Sequence, residues 1–151
     1  MSDSDPPRFY TTEVEAHRSV QEIQDLLAEA GSVHQHVVGH YAEPRGIYFT
    51  IPHPDTGDPL GVKLEAPTEV VRQRLEESPV NPSDAGDPVD IAWRLLKWTV
   101  EIRLEHMRNT ESDLFRAFLP DVMTEDGATV YEELRAHAGE LLPGANRLLK
   151  P

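Results

Sequence analysis

Cysteine is absent from this chain of 151 residues. Without it there is no disulfide framework, no thiolate nucleophile and no zinc site built on sulfur. The sequence also lacks a signal-peptide-like apolar stretch at its start and any apolar run near the roughly 20 residues that cross a bilayer. We therefore expect a soluble cytoplasmic protein of one domain, large enough to bury roughly 70% of its unfolded surface.

Basic residues are scarce: 14 Lys and Arg stand against 27 Asp and Glu, for a net charge of −13. Because Lys and Arg neutralise phosphates, we expect no direct nucleic-acid binding. An acidic surface most simply serves solubility. It is also what an inhibitor that imitates nucleic acid would present to a basic enzyme site, and this remains an alternative function.

The first half of the chain predicts one helix and a sheet. Ser19 and Glu22 form an S-x-x-E capping box for a helix that Gly31 ends. The β-branched and aromatic stretch Phe9–Val14 predicts an edge strand before it. Closely spaced strand candidates follow, which indicates an antiparallel meander: Val33–Tyr41, Gly46–Ile51 and Leu60–Glu65.

The second half is mostly helical. Its predicted elements are helices at Thr68–Glu77, Val89–Met107, Leu114–Leu119 and Tyr131–Ala138, a loop at Ser78–Pro88 and a hairpin at Met123–Val130. The whole predicts an α+β fold, in which an antiparallel sheet of three or four strands packs on helices. We expect a disordered lead-in over residues 1–8, the domain over 9–142 and a tail over 143–151.

The long helix carries apolar residues on two faces. At 100° per residue, one seam holds Val89, Trp93, Leu96, Val100, Leu104 and Met107. The opposite seam holds Ile91, Leu95, Trp98 and Ile102. Two seams need two apolar partners. Phe115, Phe118 and Leu119 are available to cover the second seam internally. A second copy of the chain is the other possible cover, so we expect a homodimer through this seam.

Histidines are the main candidates for chemistry. His34, His36 and His40 fall on alternate positions of one predicted strand, and His53 follows nearby. Imidazole binds zinc, copper or nickel, so a metal-dependent hydrolase is a further alternative. However, alternate residues lie about 7 Å apart along a strand, so these side chains do not close on one ion without a bulge. We expect a solvated face, with no metal and no cofactor.

Paired carboxylates on the long helix have a structural explanation. Glu101 and Glu105 lie one turn apart, as acid–base pairs do. Lys97 and Arg108 lie at i,i+4 and i,i+3 spacing from them, which indicates a ladder of ion pairs. A third carboxylate, Asp90, has Arg94 at the same i,i+4 spacing. We therefore expect no catalytic residues here.

Several motifs together resemble a known family. They are VEIRLE at Val100–Glu105, DLFRAFL at Asp113–Leu119 and VMTEDGATV at Val122–Val130. In this order, after a strand meander and a long helix, they resemble a family of small uncharacterised proteins encoded by tailed phages and prophages. That resemblance implies a non-catalytic accessory protein that acts through protein contacts in the host cytoplasm.

The order helix, three strands, helix from Ser19 to Glu77 is also that of a double-stranded RNA-binding domain. That fold grips phosphate through basic residues at the start of its second helix. Here the corresponding segment reads PTEVVRQRLEE, which is net acidic. The likeness therefore concerns topology alone.

Overall fold

The computed structural model describes residues 5–144. In chain order, its helices and strands are α1 (Ala16–Glu29), β1 (Val33–His40), β2 (Glu43–Pro52), β3 (Pro59–Glu65), α2 (Thr68–Glu77), α3 (Pro88–Asn109), α4 (Leu114–Phe118), α5 (Val130–Ala136) and α6 (Ala138–Leu141). Single 3₁₀ turns lie at Pro82–Asp84 and Leu119–Asp121. Among the residues described, no helix is both long and apolar enough to cross a membrane.

The three strands form one antiparallel sheet in the order β1-β2-β3, which confirms the predicted α+β class and the meander. Alternation along the strands separates an inner from an outer face. The inner face is buried and contributes Ile47, Phe49, Ile51, Val62 and Leu64 to the core. An isolated bridge from Val62 to Val122 attaches the later hairpin to β3.

The main core lies between this inner face, α1 and α3. It receives the first predicted seam of α3, in which Trp93, Val100 and Leu104 are 0% exposed. The Trp93 indole N–H donates to the carbonyl of Pro44 at 2.7 Å, so the one polar atom of this ring is satisfied inside the core. The long helix is therefore central, as its sequence predicts.

A second, smaller core lies between α2 and α3. Val71, Ile91 and Ala92 form its buried centre, and Tyr10 and Leu75 pack against it. Part of the second seam of α3 is thus covered from within the same chain.

The predicted edge strand at Phe9–Val14 is wrong. Residues 5–15 form an irregular segment, here called the N-terminal strap, that crosses α2 and α3. The amide of Gly86 donates to the Tyr10 carbonyl at 2.7 Å. The apolar residues of this segment are used to cover helices, so the β-propensity that they carry is overridden by packing.

Close backbone contact explains how the strap is seated. A Cβ at Gly86 would lie 2.5 Å from the Thr12 carbonyl oxygen, so glycine is needed at this crossing. Within the predicted lead-in, Pro7 is buried and the Asp5 carbonyl accepts a hydrogen bond from Arg74 at 3.1 Å. The rest of that lead-in, 1–4, and residues 145–151 of the predicted tail lie outside the described residues.

The predicted start of the first helix is also wrong. Helix α1 begins at Ala16, and no side-chain cap is present at its N-cap residue Glu15. Instead, the Asp90 carboxylate of α3 accepts the Ala16 amide at 2.8 Å. A carboxylate at a helix N-terminus suits the local partial positive charge, so the cap comes from a neighbouring helix.

The C-terminal third contains the predicted short helix, hairpin and last helix. Asp113 caps α4 by accepting the Arg116 amide at 2.9 Å. The hairpin turns at Gly127, where φ is +82°, and joins Met123 to Thr129 by an isolated bridge. The predicted last helix is present as α5 and α6, with His137 between them.

Candidate functional site

The second seam of α3 divides into a covered half and an exposed half. Ile91 is 0% exposed, and Leu95 packs beside it against α2. Trp98 and Ile102, one and two turns further on, are 39% and 48% exposed. Ile91 is therefore not available to a second protein. The exposed part of the predicted interface is Trp98 and Ile102, here called the exposed stripe.

Trp98 is held by the N-terminal strap. The ring of Phe9 meets it edge to face, with 6.0 Å between centroids. The guanidinium of Arg8 lies 4.8 Å from the centroid of the Trp98 ring, within cation–π range. Phe9 adopts a φ of +65°, which is unusual for a residue with a side chain. The strap thus orients Trp98 and leaves part of its surface in solvent.

The proposed internal cover for this seam is wrong. Phe118 is buried in the main core, where its ring meets Phe49 edge to face at 5.2 Å. Phe115 packs on the same cluster, and Leu119 is 37% exposed. The short helix α4 therefore covers the first seam of α3 and the inner face of the sheet.

A polar junction fixes α1 to one flank of α3. Ser19 is 0% exposed and accepts a hydrogen bond from Arg94 at 2.9 Å. Glu22 pairs with Arg94 at 2.7 Å and lies 3.9 Å from Lys97. The S-x-x-E pattern is thus used to bind Arg94 instead of forming a capping box.

The ladder predicted along α3 is present in part. Lys97 pairs with Glu101, and Arg108 lies 3.4 Å from Glu105. The predicted pair between Asp90 and Arg94 is wrong, because Arg94 turns toward α1.

An acidic cleft of about 510 Å³ lies where α1 and α3 begin. Its lining includes Glu15, Glu43, Asp87 and Asp90. Burial raises the pKa of Asp90 above its usual range, and the charges of Asp87 and Glu15 raise it further, while the hydrogen bond from the Ala16 amide lowers it. His17, on the rim of the same cleft, stacks on Tyr41 with 4.3 Å between ring centroids.

An irregularity in β1 puts His34 out of alternation with His36. The register of β1 on β2 shifts between Val33 and His36, and again between Val38 and Gly39. The first shift is an extra residue of β1 and breaks the alternation between His34 and His36, whereas the second is an extra residue of β2. His34 has a φ of +53°, His36 lies opposite Tyr48, and His40 lies opposite Glu43.

His53 has its own structural role. Its Nδ1 atom accepts the backbone amides of Asp55 and Thr56, at 3.1 and 3.3 Å, within the connection between β2 and β3. In the part of the chain that is described, no three His, Asp or Glu side chains converge as a metal site would require.

Two residues that contact the exposed stripe are not predicted from the sequence. The sequence predicts a lead-in at Arg8 and a strand at Phe9, yet both residues contact Trp98. The signal in the sequence is the pair of aromatic residues Phe9 and Tyr10, which follows Pro6, Pro7 and Arg8. Such a pair needs a buried surface, and the second seam of α3 is the one without a partner.

Comparison with protein-family models, with curated proteins and with solved structures finds no match to this chain.

Proposed function

We propose that this chain is a non-catalytic accessory protein of the phage or prophage type, which acts through protein contacts and pairs as a homodimer. The observation that carries the proposal is the exposure of Trp98 and Ile102 on a helix that is otherwise central to the fold. Large apolar side chains grouped on a surface mark contact sites, and Trp is enriched among the residues that dominate binding energy. The motif resemblance between Val100 and Val130 supports the phage type.

A second copy is the occupant that suits this stripe. Two copies of α3 that cross antiparallel near Ile102 form an isologous contact. In that arrangement, Trp98 of one copy approaches the half of the other helix that holds Glu105. Arg8, which lies over Trp98, then meets a carboxylate of opposite charge. In the proposed dimer, the apolar side chains of the two stripes would cover each other, and Arg8 of one copy would face the Glu105–Arg108 pair of the other.

Light scattering at high micromolar concentration tests the pairing. The wild-type chain should show twice the monomer mass. Ile102→Glu should show the monomer mass and an unchanged helical circular dichroism signal. The reason is that Ile102 is 48% exposed in a single chain, so the new charge is buried only in the dimer.

Tyr131→Glu is the matched control. Tyr131 lies on α5 and is 55% exposed, so it offers a comparable change outside the stripe. This variant should keep the dimer mass. A wild-type chain that is monomeric at high micromolar concentration, or equal dissociation by both variants, would reject the homodimer.

The acidic cleft favours a second candidate, an inhibitor that occupies a basic site of a nucleic-acid enzyme. Glu15, Glu43, Asp87 and Asp90 outnumber the cations on its lining. An inhibitor of this kind should inhibit such an enzyme more weakly at high salt, because salt screens the charges. The double variant Glu15→Gln, Asp87→Asn should also inhibit more weakly, because it removes two of the carboxylates. If the leading proposal is right, the double variant keeps the dimer mass, and wild type and variant do not differ in their effect on such an enzyme.

A further inference from the structure

A second recessed surface lies on the outer face of the sheet, opposite the helices that hold the core. It is a cleft of about 660 Å³ between that face and the start of α2. This volume is within the range of roughly 300–1,000 Å³ that small-molecule sites occupy. Val38, Ala66, Pro67 and Val70 supply apolar lining, and Val70 is 58% exposed although it is large and apolar.

A β-bulge places Arg45 in this cleft. Val38 pairs with Gly46 and Gly39 pairs with Pro44, so Arg45 is an extra residue of β2. Ile47 is buried in the core, and residues two apart on a regular strand share a face. Without the bulge, Arg45 would therefore point into the core as well. The bulge turns it outward, where it is exposed and lines the cleft.

Gly39 is what permits the bulge. Its φ is +109°, and a Cβ there would lie 2.8 Å from the Arg45 amide nitrogen. Both the backbone conformation and the space therefore require glycine. Two features of the sequence, a glycine in β1 and an arginine in β2, thus act together to present one cation.

The carboxylates around the cleft are already paired with other cations. Glu43 and Glu69 both pair with Arg72, and Glu65 lies 3.5 Å from Lys63. Within residues 5–144, the Arg45 guanidinium has neither an ion pair nor a side-chain hydrogen bond. It is the cation of this cleft that is free to bind a ligand.

We propose that the cleft binds a small amphipathic anion, such as an aromatic carboxylate. Arg45 holds the carboxylate in the paired geometry that guanidinium and carboxylate groups favour. The apolar body of the ligand lies on Val38, Pro67 and Val70. Tyr48 also lines the cleft, and its hydroxyl is the further hydrogen-bond donor that the proposal assigns to the carboxylate.

An NMR titration with benzoate tests the site, with benzamide and benzylammonium as neutral and cationic probes of similar shape. Benzoate in the millimolar range should shift the backbone amides of Arg45, Gly46, Tyr48 and Glu69, and the other two probes should bind at least tenfold more weakly. A preference for benzylammonium would overturn the proposal, because it would show that the carboxylates dominate. So would the absence of shifts at the cleft.

Three variants locate the charge that binds. Arg45→Met should weaken benzoate binding by about tenfold or more, as the loss of a charge-assisted hydrogen bond implies. Arg45→Lys should bind benzoate with intermediate affinity, because lysine keeps the positive charge but lacks the paired N–H donors of the guanidinium. Arg116→Met, at an exposed arginine of α4, should bind as the wild type does. Equal binding by Arg45→Met and wild type would contradict the assignment.

Discussion

At the scale of single residues, the two tryptophans of one helix differ in their surroundings. Trp93 is 0% exposed and its indole N–H is satisfied by the Pro44 carbonyl. Trp98 is 39% exposed and is contacted by the strap. Five positions correspond to 500°, which places the two side chains on different faces of the helix. One ring therefore serves folding, and the other is available for contact.

Replacing Trp93 tests its role in the core. Trp93→Ala should lower the free energy of unfolding by about 3–5 kcal/mol, because it leaves a large cavity. Trp93→Phe should cost about 1–3 kcal/mol, since the buried Pro44 carbonyl then lacks a donor. Urea denaturation followed by circular dichroism measures both. Trp98→Ala should lower the free energy of unfolding by less than Trp93→Ala does. An equal decrease would contradict the conclusion that only Trp93 belongs to the core.

The raised pKa of Asp90 gives a dependence of stability on pH. A carboxyl whose folded pKa lies above its unfolded value contributes stability that is fully present below the unfolded pKa, and this contribution is lost as pH rises through the folded pKa. Asp90→Asn keeps an oxygen for the Ala16 amide and removes the partly buried charge. It should therefore be more stable than wild type at neutral pH.

The advantage of Asp90→Asn should shrink as pH falls, because Asp90 is then protonated in both folded and unfolded states. Urea denaturation of both proteins across the acidic range measures this difference. An advantage that grows on acidification would show that the pKa of Asp90 is lowered in the folded state.

At the scale of elements, the helices and strands are predicted by periodicity within their own sequence, whereas the irregular segments depend on distant residues. The three strands and the long helix carry strong periodicity, and their bounds agree with the prediction within a few residues. Helix α1 was misplaced at its start because its cap, Asp90, lies far along the chain. Local sequence does not indicate a cap that another helix supplies.

The candidate site was predicted only in part, for the same reason. The periodicity of α3 predicts Trp98 and Ile102 on a second seam, and in a single chain both side chains are partly exposed. Which part of the seam stays open depends on where α2 and the strap pack, and these are long-range contacts. The bulge at Arg45 likewise depends on the register between two strands.

We expect a single methyl group at Gly86 to displace the strap. In Gly86→Ala, the new Cβ would meet the Thr12 carbonyl, so the strap must move and stability should fall by roughly 1–3 kcal/mol. Tryptophan fluorescence should also shift to longer wavelength, because Phe9 and Arg8 leave Trp98.

Gly139→Ala is the control for this substitution, since nothing lies within 4 Å of its built Cβ. It should leave both stability and emission near wild type. An unchanged emission spectrum in Gly86→Ala would show that the strap is not what orients Trp98.

At the scale of the whole molecule, one central helix connects the parts. It gives its first seam to the sheet, its polar flank to α1 and half of its second seam to α2. The remaining half, Trp98 and Ile102, is the surface through which we propose that two copies meet. The cleft that contains Arg45 lies on the opposite side of the sheet, so occupation of one surface leaves the other accessible.

Site-directed cross-linking tests the proposed pairing most directly. The chain has no cysteine, so Ile102→Cys introduces a single thiol. A residue near the two-fold axis of an isologous contact lies close to its own copy, and a disulfide forms where the two Cα atoms lie within about 7 Å. Under mild oxidation, Ile102→Cys should yield covalent dimer much faster than Tyr131→Cys, which lies outside the stripe. Equal rates for the two variants would contradict a dimer formed through α3.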